Sequence, residues 1–507
     1  MPSAKCQVPS ANCQLPTANC QLLPPSCYIR HVLEAERNSL GRTDRHPFWN
    51  MLRESGKYFL LVTLAAFALR LFFYLRFPHV TGDSLVYGDI AKNWLQHGIY
   101  GLTHAEGPRP TWIRLPGYPA FLAVCFALFG SEHYNAVLLV QIVVDVAGCF
   151  VIADLARRTV SPRAARFAFL LAALCPFTAN YTVAPLAETL SIFFTAVALD
   201  CAVAAFQAAE EGLTRWSAWM GCAFAVAAGI LLRPDGGIVL VALGLFLLWR
   251  IWQRPAERTR LFWAGALMLA VSLAPLVPWT ARNWRDFHRF QPLAPRYASD
   301  PDEFVPSGFD KWMRTWVVDY VSTEEVYWQV PGDDVTLQDL PSRAFDSAQQ
   351  RETTQAIFND YAKTHFVDPE LNARFAELAN ERIKQAPFRY YVWLPGLRIA
   401  DMWLRPRTEM LPLNTRWWEY ANDTGSSVLA TLWGVLNLLF LFAAVMGVLR
   451  GPRPRYLVLM LLLVLLRSAF LGTMENPEPR YTLECFPVVL VLGGAWLSGI
   501  NRRRVLP

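Results

Sequence analysis

Ten stretches of the chain are apolar on all sides for the length of a membrane-crossing helix, which needs about 20 such residues. They fall at 57–77, 135–156, 166–184, 186–207, 215–232, 236–251, 261–281, 427–449, 455–472 and 482–499. An eleventh run, GYPAFLAVCFALFG at 117–130, is short for a span and begins in a Pro-Gly-Tyr-Pro turn. Sidedness decides how to read it. If 117–130 crosses, the basic segment ARRTVSPRAAR (156–166) lies opposite the basic N-terminal region. If it lies at the interface, the basic stretches Arg157–Arg166, Arg250–Arg260, Arg450–Arg455 and Arg502–Arg504 all fall on one side. The positive-inside rule then holds with both termini cytoplasmic. The run is therefore read as an interfacial or re-entrant helix.

This pattern predicts an all-α polytopic membrane protein of about ten transmembrane helices, placed in the cell (inner) membrane, with juxtamembrane helices in the first and main outer loops. Four segments follow. Residues 1–56 are a low-complexity tail. Residues 57–281 are a transmembrane module that carries the first outer loop, 78–134. Residues 282–426 are a long outer loop, and 427–507 are C-terminal spans with a basic tail. In the long loop, RFAELANERIKQ (374–385) sets Phe375, Leu378 and Ile383 among charges. Trp393, Trp403, Trp417 and Trp418 follow, a density that suits a membrane–water boundary. Interfacial helices without an independent domain are expected there.

Composition agrees. Only 17% of the 507 residues are charged, against about 25% in soluble domains, and 54% are hydrophobic. A disordered chain, a disulfide scaffold and a simple soluble enzyme are excluded. The net charge of +6 is assigned to membrane orientation, so nucleic acid is not an expected partner. Cys6, Cys13, Cys20 and Cys27 recur every seven residues. They lack the close pairs and histidines of a zinc site, so they read as a low-complexity tail or as sequence upstream of a true start at Met51. Cys125, Cys149, Cys175, Cys201, Cys222 and Cys485 lie in apolar runs and read as free thiols.

Residues able to carry chemistry collect on the outer side. GDSLVYGDIAKNWLQHGIYG (82–101) reads as a short amphipathic helix with Asp83 at its N-cap and Gly98 after its end. Asp83 is either a cap or a carboxylate at the membrane surface poised to accept a proton. Tyr87 lies on the same helix. Arg114 precedes the Pro-Gly-Tyr-Pro turn, where it either snorkels or clamps a phosphate. Glu188 opens a span at its outer end, as a cap or a functional carboxylate. Arg233, Arg282, Arg467 and Arg480 with Tyr481 also converge on the outer leaflet, against the inward bias. Together with Arg114 they suggest an anionic ligand such as a lipid phosphate. Asp83, Ser84 and Asp89 form no DxD, and no nucleotide or metal site is visible, so no cofactor is expected.

These pieces, in order, resemble the integral-membrane glycosyltransferases of the C-type fold. The group they most resemble holds the protein O-mannosyltransferases and aminoarabinose transferases, family 39. The resemblance runs through GDSLVYGDIAKNWLQHGIYG, IRLPGYPAFLAVCFALFG, ARRTVSPRAAR, APLAETLSIFF, LLRP, PWTARN and PRYTLECFP. It implies transfer of a monosaccharide from a polyprenyl-phosphate carrier to a glycan, lipid or protein acceptor outside the cytoplasm. It assigns the catalytic roles to Asp83 and Glu188, and the lipid phosphate to Arg114. Many relatives carry a second acid beside the first; here the neighbour is Ser84, which sets the chain apart from the eukaryotic protein mannosyltransferases. An inverting displacement with Asp83 as base is expected. The competing readings are a lipid-linked sugar flippase or transporter, and a glycan polymerase or ligase.

Overall fold

The computed structural model describes residues 47–80 and 82–500. The cysteine repeat and the basic tail at 502–504 lie outside the described residues. Residues 47–55 belong to a unit of their own that contains helix α1 (Pro47–Glu54). Everything below concerns the unit from Gly56 onward.

The protein is a multi-pass helical membrane protein. Among the described residues, seven helical stretches are long and apolar enough to cross a bilayer, and three shorter apolar helices accompany them. The long ones include α2 (Gly56–Arg76), α5 (Tyr134–Thr159), α8 (Glu188–Glu210) and α17 (Thr424–Leu449). Lipid-facing positions are recognisable by exposed leucines, as on α2, where Leu60, Leu61 and Leu64 point outward while Ala66 and Phe73 are buried.

The expected spans appear with two breaks. The run at 166–184 is not one helix. It is α6 (Pro162–Ala173) and α7 (Pro176–Tyr181), separated where Pro176 removes a backbone donor. The buried Arg70 of α2 donates to the carbonyls of Ala172 and Ala173, of which Ala172 also accepts from the N–H of Cys175. Arg70 also donates to Asp145 of α5 at 2.7 Å. A charged pair thus finishes a helix end that would otherwise leave the Ala173 carbonyl unsatisfied, which is costly in hydrocarbon. The run at 261–281 breaks likewise, into α11 (Arg258–Leu273) and α12 (Leu276–Phe287), at Pro275.

Helix α4 (Gly117–Phe129) has 13 residues, about 20 Å of helix against a hydrocarbon layer of about 30 Å. It buries Tyr118, Leu122 and Phe126 and leaves Val124, Leu128 and Phe129 exposed. This fits the expected re-entrant or interfacial helix. Its first residue must be glycine: a Cβ on Gly117 would lie 2.6 Å from the carbonyl of Leu231. Helix α9 (Trp216–Leu232) has 17 residues and α18 (Leu457–Leu471) has 15, about 25 and 22 Å. Both are shorter than the hydrocarbon layer.

Three of the basic stretches meet in space. Arg455 donates its N–H to Thr159, Gln207 donates to the carbonyl of Arg158, and Arg250 pairs with Glu210 at 2.9 Å. The basic loops therefore gather on one face, joined by Tyr58, whose hydroxyl reaches the carbonyl of Arg166. The outer loops gather on the other.

The first outer loop holds α3 (Gly82–His97) and a hairpin absent from the sequence reading: β1 (Gly101–His104) antiparallel to β2 (Gly107–Pro110). Asp89 and Asn93, one turn apart on α3, hold the hairpin through Thr103 and the carbonyl of Gly101. The long outer loop also exceeds expectation. Helices α13 (Ser307–Met313), α14 (Ala348–Tyr361) and α15 (Pro369–Gln385) close on a core of Phe309, Trp312, Trp316, Phe358 and Phe375. Phe375 and Leu378 are buried. Arg382 is buried too, with its guanidinium on Thr315 and on the carbonyls of Arg343 and Ala344, while Ile383 is only half-buried. Helix α16 (Leu394–Leu404) returns to the membrane beside exposed Phe388, Tyr391 and Trp393.

Removing Arg70 would strand Asp145 and the carbonyl of Ala173. Arg70→Ala should lower stability by about 3–5 kcal/mol, whereas the double change Arg70→Met, Asp145→Leu should recover most of that loss. Thermal unfolding of the three proteins in one detergent checks this.

Candidate active site

The first turn of α3 carries Asp83. The helix begins at Gly82, so Asp83 sits one residue inside it and not at the cap position expected from sequence. Its carboxylate accepts from Arg114 at 2.8 Å and lies 3.8 Å from Arg480. Burial pushes its pKa up, but Arg114, Arg480 and Arg233 together hold it below the usual aspartate value. Tyr87, one helical turn on, lies under the Arg114 guanidinium at 5.5 Å.

A polar relay sets the neighbouring turns. Tyr118 packs edge-on against Tyr87 and donates to Gln141 at 2.7 Å. Gln141 in turn donates to the carbonyls of Thr182 and Ala184. The Pro-Gly-Tyr-Pro turn is thereby tied to the turn that delivers Glu188. Glu188 accepts from Arg233 at 2.9 Å and lies 3.8 Å from Arg480. Its role in the geometry is to fix two guanidiniums.

Behind this front lies a second layer. Arg467, only 1% exposed, pairs with Asp235 at 2.8 Å and with Glu484 at 2.6 Å, and donates to the carbonyl of Tyr481. Arg233 is shared with Asp235 at 3.1 Å and Glu484 at 3.7 Å. Arg480 pairs with Glu478 at 2.6 Å, and Glu478 also accepts from the Tyr481 hydroxyl. The Tyr481 ring stacks under Arg233 at 4.9 Å and Arg480 at 5.4 Å.

The front layer lines a cavity of about 500 Å³. Arg114, Arg233, Arg296 and Arg480 face it with Asp83, Glu188 and Asp235, a surplus of one positive charge. Its other wall is apolar, with Leu115, Leu186, Leu232, Phe470 and Leu471. Phe470 is 42% exposed at the end of the short helix α18.

Seven of the nine residues singled out from sequence line this cavity together: Asp83, Tyr87, Arg114, Glu188, Arg233, Arg480 and Tyr481. Two do not. Arg467 lies behind the wall, where it orders Asp235 and Glu484. Arg282 lies outside the cavity altogether. It donates to the carbonyls of Thr111 and Tyr100, pairs with Asp286 at 2.8 Å, and is ringed by Tyr100, Trp279 and Phe287. Its work is to fasten the first outer loop to α12. The carboxylates Asp235, Glu478 and Glu484 escaped the sequence reading although they stand within LLRPDGG and PEPRYTLECFP, two to four residues from an arginine. Arg296 had no such signal, since it comes from the irregular part of the long loop. Among the described residues no group of three or more His, Cys, Asp or Glu is arranged to hold a metal ion.

Residues 109–279 match the family model described as dolichyl-phosphate-mannose-protein mannosyltransferase. IRLPGYPAFLAVCFALFG, ARRTVSPRAAR, APLAETLSIFF and LLRP fall inside this match, whereas the stretch at 82–101 and PRYTLECFP lie outside it; the chain is similar to that group over 109–279. Among solved structures it is similar to the oligosaccharyltransferase AglB of Archaeoglobus fulgidus in complex with an inhibitory peptide and a dolichol-phosphate. The identity is 12% and the TM-score 0.48, over 88% of this chain and 50% of that one. ArnT of Cupriavidus metallidurans in the apo state is 16% identical with a TM-score of 0.39, over 86% and 78% of the two chains. The chain thus spans about half the length of the oligosaccharyltransferase it matches. No curated protein matches the sequence.

The assignment of Arg282 to loop fastening has a direct consequence. Arg282→Gln should raise amide exchange across residues 100–112 at least tenfold while exchange in α8 and α9 stays as in the wild type. Hydrogen–deuterium exchange with peptide resolution measures both.

Proposed function

We propose that the chain is a membrane glycosyltransferase that passes a monosaccharide from a polyprenyl-phosphate donor to an acceptor hydroxyl on the non-cytoplasmic face. One observation carries this reading. A carboxylate held ionised, Asp83, stands in the wall between an arginine-rich cavity with an apolar side and a second, polar cavity that opens outward. A lipid-linked phosphate fits the first: the phosphate takes Arg114, Arg233 and Arg480, and the polyprenyl chain leaves past Phe470 and Leu471 toward lipid. The family match over 109–279 and the positive-inside arrangement of loops support the same reading.

The chemistry follows from the residues. The acceptor oxygen attacks the anomeric carbon as its proton passes to Asp83. The bond from that carbon to the phosphate oxygen breaks, and the electron pair leaves with polyprenyl phosphate. The leaving group is a stable anion, so no acid has to protonate it. Arginines fixed in advance stabilise the charge that grows on it. Glu188 and Asp235 line only the first cavity, which leaves Asp83 as the one of the three carboxylates at the junction with the second. A single base and direct displacement invert the anomeric centre. The reaction needs no cofactor on this scheme.

The ionisation of Asp83 gives the test. Its pKa is depressed, so the base form persists as pH falls and is lost only below the ordinary value of about 3.9. Transfer by the wild type in lipid nanodiscs, supplied with a panel of polyprenyl-phosphate monosaccharides, should show no acidic limb between pH 8 and about pH 5. Asp83→Asn should lower the rate by about 10²–10⁴-fold with the donor still bound. In Arg114→Ala burial is no longer outweighed, and an acidic limb should move up into the measurable range. Transfer that survives in Asp83→Asn, or a wild type that only moves the lipid across the bilayer, would overturn the reading.

A further inference from the structure

The second cavity, about 630 Å³, opens outward from Asp83 between the 296–310 segment, residues 327–331 and the loop 474–481. It shares Asp83, Arg114, Arg296 and Arg480 with the first cavity, and its electrostatics are reversed. Each arginine that faces it has a carboxylate beside it: Arg114 has Asp83 at 2.8 Å, Arg480 has Glu478 at 2.6 Å, and Arg296 has Glu475 at 2.8 Å. Glu303 and Asp310 are then in excess; burial and the neighbouring Glu475 push the Asp310 carboxyl up to about 7, so the wall carries one to two more negative than positive charges near neutral pH. Where the first cavity favours an anion, this one disfavours it.

The remaining wall is aromatic. Trp328 and Phe304 each leave 44% of their surface exposed, and Tyr327 bonds to Asp310 from the side. Fixed carboxylates can only accept hydrogen bonds, so the matching ligand is rich in donors and without negative charge. An exposed indole offers an electron-rich face to the C–H bonds of a sugar ring. A neutral carbohydrate meets both demands at once, with several hydroxyls and apolar ring faces. A Ser/Thr peptide can offer backbone N–H donors as well, but it has no apolar ring face to lay on Trp328.

Resting on the transferase reading, we infer that this cavity is the acceptor subsite and takes a neutral glycan, its ring on Trp328, its hydroxyls donating to Asp310 and Glu303, and the hydroxyl to be glycosylated at Asp83. Glycans that bear phosphate or carboxylate groups near the reacting sugar are excluded by the same wall.

Saturation-transfer NMR on the full-length protein in nanodiscs tests this. The probes are methyl glycosides and disaccharides of glucose, galactose, mannose and N-acetylglucosamine, their phosphate monoesters, and a Ser/Thr-rich peptide. Calorimetry with polyprenyl phosphate runs in parallel. At least one neutral glycan should bind, and its phosphate monoester should bind at least tenfold more weakly. Trp328→Ala and Asp310→Asn should each weaken glycan binding about tenfold and leave polyprenyl phosphate affinity within twofold, which also shows that the variants are folded. Arg480→Gln should weaken polyprenyl phosphate more than the glycan. The inference falls if the peptide binds and no glycan does, if the phosphorylated glycans bind as well as the neutral ones, or if Trp328→Ala leaves glycan affinity unchanged. Glycan binding without polyprenyl phosphate binding would keep the glycan site and remove the donor assignment instead.

Discussion

The alternation of arginines and carboxylates at the outer ends of the short spans is the constraint on which the site depends. An unpaired charge at membrane depth is prohibitive, and even a pair gains little if its remaining donors lack partners. Arg467 shows how the chain meets this. Its guanidinium is shared by Asp235, Glu484 and the carbonyl of Tyr481, three acceptors from two elements that flank the cavity. Arg233 and Arg480 extend the lattice to Glu188 and Asp83. From behind, Glu484 holds Arg233 and Glu478 holds Arg480, and these two arginines in turn hold the front carboxylates.

The backbone is cut to admit this lattice. Helices α9 and α18 stop before a full bilayer thickness, and irregular segments at 233–236 and 472–485 take over at the cavity. Non-helical backbone at such depth is tolerated only where protein or a polar cavity surrounds it. The short helices, the bound turns and the charges are thus one solution to one problem. The break at Pro176 repeats the solution deeper in the bundle, with Arg70 and Asp145 in place of the site's residues.

Much of this is legible in the sequence, and the reason is the bilayer. Lipid forces long apolar runs, so the spans can be read almost directly, and charge bias fixes which loops share a face. Asp83, Arg114, Glu188, Arg233 and Arg480 stand out because charge beside such runs is expensive. The same logic cannot separate a charge that faces a cavity from one that braces the fold. Arg282 has the right sidedness, yet its donors are consumed by Thr111 and Tyr100. Arg467 has the right depth, yet lies one layer back. Nor does apolar periodicity reveal the core of 307–385, whose aromatic residues are scattered through a polar stretch, or the hairpin at 101–110, whose residues are mostly polar or glycine.

The two cavities explain why Asp83 is paired and not free. A carboxylate alone at this depth would be driven toward its neutral form by desolvation, and a neutral carboxyl accepts no proton. Arg114 keeps it ionised at the cost of basicity, since each interaction that favours the anion lowers its proton affinity. On the proposed scheme the conflict is resolved by the donor. A phosphate that draws Arg114 and Arg480 toward itself loosens their hold on Asp83, so the carboxylate gains basicity once the sugar is in place. The base is then strongest when there is something to transfer, and weakest when the cavity would admit only water.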